Sequence, residues 1–332
     1  MLTTVAAGRV YDYSYCIGMY SQSGRGFWTP QDFVLGPNGR IYVLSRGAEQ
    51  LGQRVSKITF DHQFQGQFGS FGAEDGRFVW PRSIDLDATG RVFVSDEHVN
   101  RITIFDEEGA YRYHWGRSGS EDGQLNGPSG IAFDSHGTIW VVDSLNHRVQ
   151  SFSQIGEFQS KFGKQGGGDG DLEMPWGICV DRQDNIYVAD WGNNRVQKFA
   201  PNGELLVKFE CSSTGVGSLK GPSGVAVDSD GDVYVTDWGN HRVQIYAADG
   251  HYITALVGDA QELSPWAQAY IDANPDIIKA RRRADLEPEW RFRRPVAVNV
   301  DADDRIIILE SHRHRLQIYN KLKDYEEHSL NL

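Results

Sequence analysis

Arg46, Glu97, His98, Glu310 and His312 share one recurring place in the chain, the polar turn just after an apolar, strand-like run. Imidazoles move protons near neutral pH, and carboxylates orient them. A guanidinium binds or polarises a carboxylate through its planar fork of donors. Arg82, directly after Pro81, adds a second cation of this kind. The set suits acid–base chemistry of lyase or hydrolase type on a small anionic molecule. Arg46 and Arg82 would hold the substrate, His98 or His312 would transfer protons, and Glu97 and Glu310 would orient them. The same His98 and His312, with Glu97 or Glu310, could instead share a divalent metal, since imidazole and carboxylate suit several such ions. No Gly-x-Ser-x-Gly elbow is present, and no cysteine has the setting of a nucleophile.

These residues are far apart in sequence, so the elements that carry them must bring them together. An anchor residue, usually Asp, ends an apolar strand at positions 45, 96, 143, 190, 237 and 310. The spacings are 51, 47, 47, 47 and 73. A Pro that opens a strand precedes every anchor by 15 residues, at 30, 81, 128, 175, 222 and 295. A Gly 12 residues before the next Pro ends an aromatic-rich strand at 69, 116 and 163, with Glu210 in its place once. Between these markers lie short β-branched and aromatic runs separated by turns such as Asp134-Ser-His-Gly137 and Asp228-Ser-Asp-Gly231. A period of this length marks stacked supersecondary units. Four strands per unit and six units predict an all-β chain, a six-bladed β-propeller with four-stranded antiparallel blades.

Only one clear strand, Arg315-Leu-Gln-Ile-Tyr319, follows the last anchor, while Tyr13-Ser-Tyr-Cys-Ile17 precedes Gly18 in the register of an outer strand. The N-terminal segment is therefore expected to close the sixth blade, and residues 321–332 to add an edge or fray. Blades six, one and two are then neighbours. Copies three, four and five follow the common pattern, whereas the turns after anchors 45, 96 and 310 depart from it, so the departures mark one sector of one rim. Twenty-five extra residues fall between Gly258 and Pro295. Trp266–Ile271 and Pro275–Ala284 within them read as helical. The expectation is a helical flap, residues 258–294, over the channel mouth. It would bring Arg281, Arg282, Arg283, Trp290, Arg291, Arg293 and Arg294 to the ligand, with Arg283 as a binding residue. Trp176, Trp191 and Trp238 read either as packing residues or as an aromatic wall for the ligand. The Asp143–Arg148 pair, its counterparts, and His147, His241 and His314 read as structural, because the blades repeat them.

One ring uses all 332 residues as a single domain, with a net charge of −12. That charge opposes binding to phosphate backbones, so a nucleic-acid partner is disfavoured. Cys16, Cys179 and Cys211 cannot all pair, which suits a reducing compartment. No run approaches the length of a membrane span, and the first residues are too short for a signal core. The reading is a cytoplasmic, monomeric protein.

The Pro-x-Gly opening, the Asp-x-x-Asn-x-Arg turn and the Phe-Gly-x-x-Gly-x-x-x-Gly connector resemble the NHL repeat. Asn146-His147-Arg148 and Asn240-His241-Arg242 carry its name-giving dipeptide, with Arg where Leu would stand. The resemblance covers nearly the whole chain and implies a propeller, not a single function. Such propellers include RNA-binding modules, protein scaffolds and the peptidyl-hydroxyglycine amidating lyase. That lyase implies a zinc ion held by three His, each directly after the strand-opening Pro. Here those positions are Gln31, Arg82, Ser129, Trp176, Ser223 and Val296, so that zinc site is absent. Arg46-Gly47 does resemble the lyase's first-blade turn, whose Arg serves catalysis. The alternative to an enzyme is a non-catalytic scaffold that binds a protein or peptide. A deep pocket under an ordered flap would favour the first, and a broad, open, apolar face the second.

Overall fold

A computed structural model describes residues 3–210 and 217–322. Cys211 and residues 323–332 lie outside the described residues. The chain forms six antiparallel sheets, five of four strands and one of five. Blade three shows the plan: Pro128–Phe133 lines the channel, followed outward by Ile139–Asp143, Arg148–Phe152 and Phe158–Phe162. Its middle strands are buried along their whole length, because neighbouring blades cover both faces. Between blades two and three, Phe93, Ile104, Leu125, Ile139, Val141 and Phe152 form one such apolar layer.

The repeated marks of the sequence are the joints of the blade. Asp143 pairs in register with both Pro128 and Arg148. Its carboxylate accepts from Arg148 Nε at 2.8 Å, Asn146 Nδ2 at 2.8 Å and the Asn126 N–H at 2.6 Å. Arg148 then donates to the carbonyls of Glu121 and Gln124 in the incoming connector. A buried charge that is paired and fully hydrogen-bonded fixes the turn and the connector together. Asp190–Arg195 and Asp237–Arg242 repeat the arrangement. The turns of blades two to six end in a residue with left-handed backbone, Asn100, His147, Asn194, His241 and His314, types that tolerate positive φ. The side chain of that residue accepts the N–H that precedes the next blade's Pro: Met174 on His147, Arg294 on His241, Thr29 on His314. The repeat histidines are thus clasps between blades.

Blade six closes as the sequence predicts. Arg9–Ile17 pairs with Arg315–Leu322, and Thr3–Ala6 adds a fifth strand outside it. Lys321 and Leu322 belong to the blade's third strand. Lys321 Nζ sits among Asp228, Asp230 and Asp232 at 2.6, 2.8 and 2.9 Å, which ties the closing blade to blade five.

The insertion forms helices α1 (Pro265–Asp272), α2 (Pro275–Arg281) and α3 (Glu287–Trp290). Ser264 caps α1 by accepting from the Ala267 N–H, and Pro265 fills its first position. Among the described residues, none of the three helices lines the channel-mouth cavity. Trp266 is buried in the seam between blades six and one, edge-on to Phe27 with ring centres 6.4 Å apart. Its Nε1 donates to His62 O at 3.0 Å, in the hairpin at the end of blade one away from the anchors. Ser264 Oγ donates to Gly18 O at 2.6 Å. Burial of this indole ties α1 to the seam where the ring closes. Among the described residues no helix is long and apolar enough to cross a membrane.

Candidate functional site

Two sets of side chains ring the channel mouth. The residues after the strand-opening Pro are Gln31, Arg82, Ser129, Trp176, Ser223 and Val296, and the residues after the anchors are Arg46, Glu97, Ser144, Trp191, Trp238 and Ser311. Charge gathers in blades one and two, and aromatic surface in blades four and five. A cavity of about 290 Å³ lies between them, lined by Gln31, Arg46, Arg82, Trp176, Trp238 and His312 among others. A channel cavity of about 270 Å³ shares Gln31, Arg82, Trp176 and Val296 with it.

Arg82 stacks on Trp176, its guanidinium carbon 3.7 Å from the ring centre. It donates to Gln31 Oε1 at 3.1 Å, and its Nε lies 3.0 Å from Glu97 Oε2. The Nε–H is not aimed at that carboxylate and finds no acceptor. Burial pushes the Arg82 pKa down to about 10, with Glu97 acting against the shift and Arg46 adding to it. Arg46 reaches Glu97 Oε1 at 3.2 Å and lies over Trp80 at 4.8 Å. The turn that presents it needs Gly47, where φ is +64° and a Cβ would meet Leu51 O at 1.8 Å.

His312 occupies the other wall. Its Nε2 is 3.2 Å from an Arg294 terminal nitrogen, and its Nδ1 is 3.1 Å from Ser311 Oγ. Ser311 Oγ also donates to Arg294 O at 3.2 Å. That network assigns the proton to Nδ1 and leaves the Nε2 lone pair toward the arginine. Desolvation, then the charges of Arg294 and Arg293, hold the His312 pKa below its ordinary value. Arg294 itself covers Trp238 at 4.3 Å, and Trp191 stands between Trp176 and Trp238 at 4.2 and 5.2 Å.

The structure thus brings Arg46, Arg82, Glu97, His312, Trp176 and Trp238 to one mouth and separates the other expected residues from it. Glu310 is fully buried and replaces Asp as the blade-six anchor. It accepts from Arg315 Nε at 2.6 Å, Gln317 Nε2 at 2.9 Å and the Arg293 N–H at 2.9 Å. Those bonds leave it no part in orienting His312. His98 is exposed, edge-on to Trp80 at 4.9 Å, and does not line the cavity. Arg283 is exposed on the insertion, also outside the cavity. Among the described residues no three His, Cys, Asp or Glu side chains gather as a metal site, so the expected sharing of a metal by His98 and His312 is not met.

Two carboxyl groups in the channel wall escaped the sequence reading. Burial pushes the Asp32 pKa up to about 6, against hydrogen bonds from Ser83 Oγ and the Ile84 N–H. It pushes Asp85 up to about 7, against the Leu86 and Phe133 N–H groups. The available signal was an acid at a strand position where other copies carry Gly130, Gly177 and Gly224, or Ala132, Cys179 and Ala226.

Comparison with known proteins bears on the whole ring. The NHL repeat model matches residues 125–152, 172–199 and 219–246, the first three strands of blades three, four and five. Human NHL repeat-containing protein 3 is 32% identical over 82 residues, which cover 25% of this chain and 23% of that protein. The chain therefore spans about a quarter of the length of this relative. Virginiamycin B lyase from Staphylococcus aureus superposes with a TM-score of 0.59 at 12% identity, over 93% of this chain and 99% of the lyase. An auxiliary nutrient binding protein from Bacteroides ovatus gives 0.61 at 13% identity, over 94% and 77%. At such identities the two structures share the fold alone. The chain is a six-bladed β-propeller, and its blades three to five match the NHL repeat.

Proposed function

We propose that the mouth between blades six, one and two binds a small carboxylate-bearing molecule and acts on it as a lyase- or hydrolase-type enzyme. The observation that carries this reading is Arg82, a largely buried guanidinium stacked on Trp176 at the cavity wall, with one loosely aligned acid beside it. A buried cation of this kind favours an anionic ligand. Arg82 and Arg46 hold the carboxylate, and Trp176 and Trp238 cover the ligand's apolar part. His312 Nε2 accepts a proton once Arg294 turns from it toward the ligand. The arginines then stabilise the negative charge that develops in the substrate. A virginiamycin B lyase and an auxiliary nutrient binding protein share this fold, which is compatible with either kind of role. Cys16 and Cys179 are free thiols, which suits a cytoplasmic setting.

A second reading has its own support. Exposed Tyr20, Leu51, Trp80, Leu145 and Met174 lie on connectors and turns of the same face. A peptide or protein with acidic groups fits that surface as a scaffold ligand. Nucleic acid fits it poorly, given the net charge of −12. A panel of small carboxylates and acidic peptides, assayed for binding and turnover with wild type and His312→Gln, separates the readings. Turnover lost in the variant with binding kept supports the enzyme. Peptide binding with no turnover of any carboxylate supports the scaffold.

A further inference from the structure

Arg46 is a cation at the cavity wall with unspent donors. Among the described residues its guanidinium makes no hydrogen bond: its contacts are the 3.2 Å approach to Glu97 and the face of Trp80. Its side chain is 27% exposed. Glu97 lies between Arg46 and Arg82, 3.2 and 3.0 Å from them, and neither approach is aligned as a hydrogen bond. The backbone at this position is anchored. Glu97 follows the fully buried anchor Asp96, and its own N–H is tied to Trp80 O at 3.1 Å. Its carboxylate meets neither fork squarely. Blades three, four and five place Ser144, Trp191 and Trp238 at this position, so the acid is peculiar to the charged sector.

Two guanidiniums that converge on one carboxylate repel each other without it. Glu97 therefore neutralises the pair in the free protein, from the flank of the cavity rather than from inside it. A ligand carboxylate in the cavity has to compete for the same donors.

We propose that Glu97 is a built-in competitor of the ligand carboxylate, and that binding draws the Arg46 guanidinium off Glu97 into the cavity. This rests on the anion-binding reading above and adds a control on its affinity. The ligand class it selects is the carboxylate, whose two oxygens match what Glu97 offers, in preference to phosphate or an uncharged amide.

The test is a tryptophan-fluorescence titration with benzoate, with benzamide and inorganic phosphate as comparison probes. Wild type, Glu97→Gln, Arg46→Ala and the double variant are titrated, after thermal melts show that all are folded. Glu97→Gln keeps the shape of the side chain and should bind benzoate about threefold to tenfold more tightly than wild type. The gain should vanish in the double variant, and benzamide should show none. Equal or weaker benzoate binding by Glu97→Gln, with wild type still binding, overturns the competitor role alone. So does a gain that survives loss of Arg46. Absence of saturable benzoate binding in all four proteins overturns the anion site and the competitor together.

Discussion

The guanidinium of Arg82 in blade two lies 3.7 Å from the ring centre of Trp176 in blade four, reaching across Ser129 of the blade between them. Ser129 is buried and turns its hydroxyl to Trp176 O at 2.9 Å, which leaves room for the stack above it. A desolvated cation–π pair of this kind contributes about 1–2 kcal/mol. A double-mutant cycle of Arg82→Ala and Trp176→Ala in urea unfolding should show coupling of about that size. Arg82→Lys should not restore ligand binding, because an ammonium lacks the planar fork. Coupling indistinguishable from zero would show that the two side chains are neighbours without interaction.

His312 yields a kinetic and a pH expectation. His312→Gln should lower turnover by about 10²- to 10⁴-fold with ligand binding kept. The base is the neutral form, and its pKa is held down by desolvation and then by Arg294 and Arg293. The acidic limb of the rate profile should therefore fall below about pH 6.5, the ordinary histidine value. Arg294→Ala removes one of the lowering charges and should move that limb upward. A limb that stays in place would show that another group titrates.

Asp85 links the channel to stability. Its pKa is raised by burial to about 7 in the folded chain, from 3.8. A raised carboxyl pKa means that its contribution to stability is complete below the unfolded value and is lost as pH rises through the folded one. Stability should thus fall between about pH 4 and pH 7. Asp85 faces the channel cavity, where water tempers the effect, so the loss is on the order of 2 kcal/mol. Urea midpoints across that range should flatten in Asp85→Asn. An unchanged slope would assign the pH dependence elsewhere.

Trp266 tests the placement of the insertion. Trp266→Ala empties a buried site in the seam between blades six and one, and should cost about 3–5 kcal/mol in unfolding free energy. Ligand affinity should change little, since the residue does not line the mouth. Strong loss of affinity with unchanged stability would instead describe a flap.

The ring, its register and its closure by the N-terminal strand were legible because Pro and anchor keep one spacing in every blade, and anchor and Arg keep one in blades two to six. The grouping of Arg46, Arg82, Glu97 and His312 followed from blade adjacency. What spacing could not supply was direction. Glu310 is one methylene longer than Asp143, yet both reach their Arg partner, so a departure in type was a conserved role in geometry. His98 shares its turn position with His312, but Trp80 holds it on the exposed side. The insertion's helices were visible in composition. Their docking depends on one indole finding the seam, a long-range contact that local pattern does not encode.

The central claim is that the mouth is an anion site centred on Arg82. The direct measurement is a benzoate titration of wild type, Arg82→Ala and Arg283→Ala by tryptophan fluorescence. Saturable binding is expected in wild type, the same binding in Arg283→Ala, which lies outside the cavity lining, and loss by tenfold or more in Arg82→Ala, about the worth of one charged hydrogen-bonding partner. Equal binding by Arg82→Ala and wild type would contradict it.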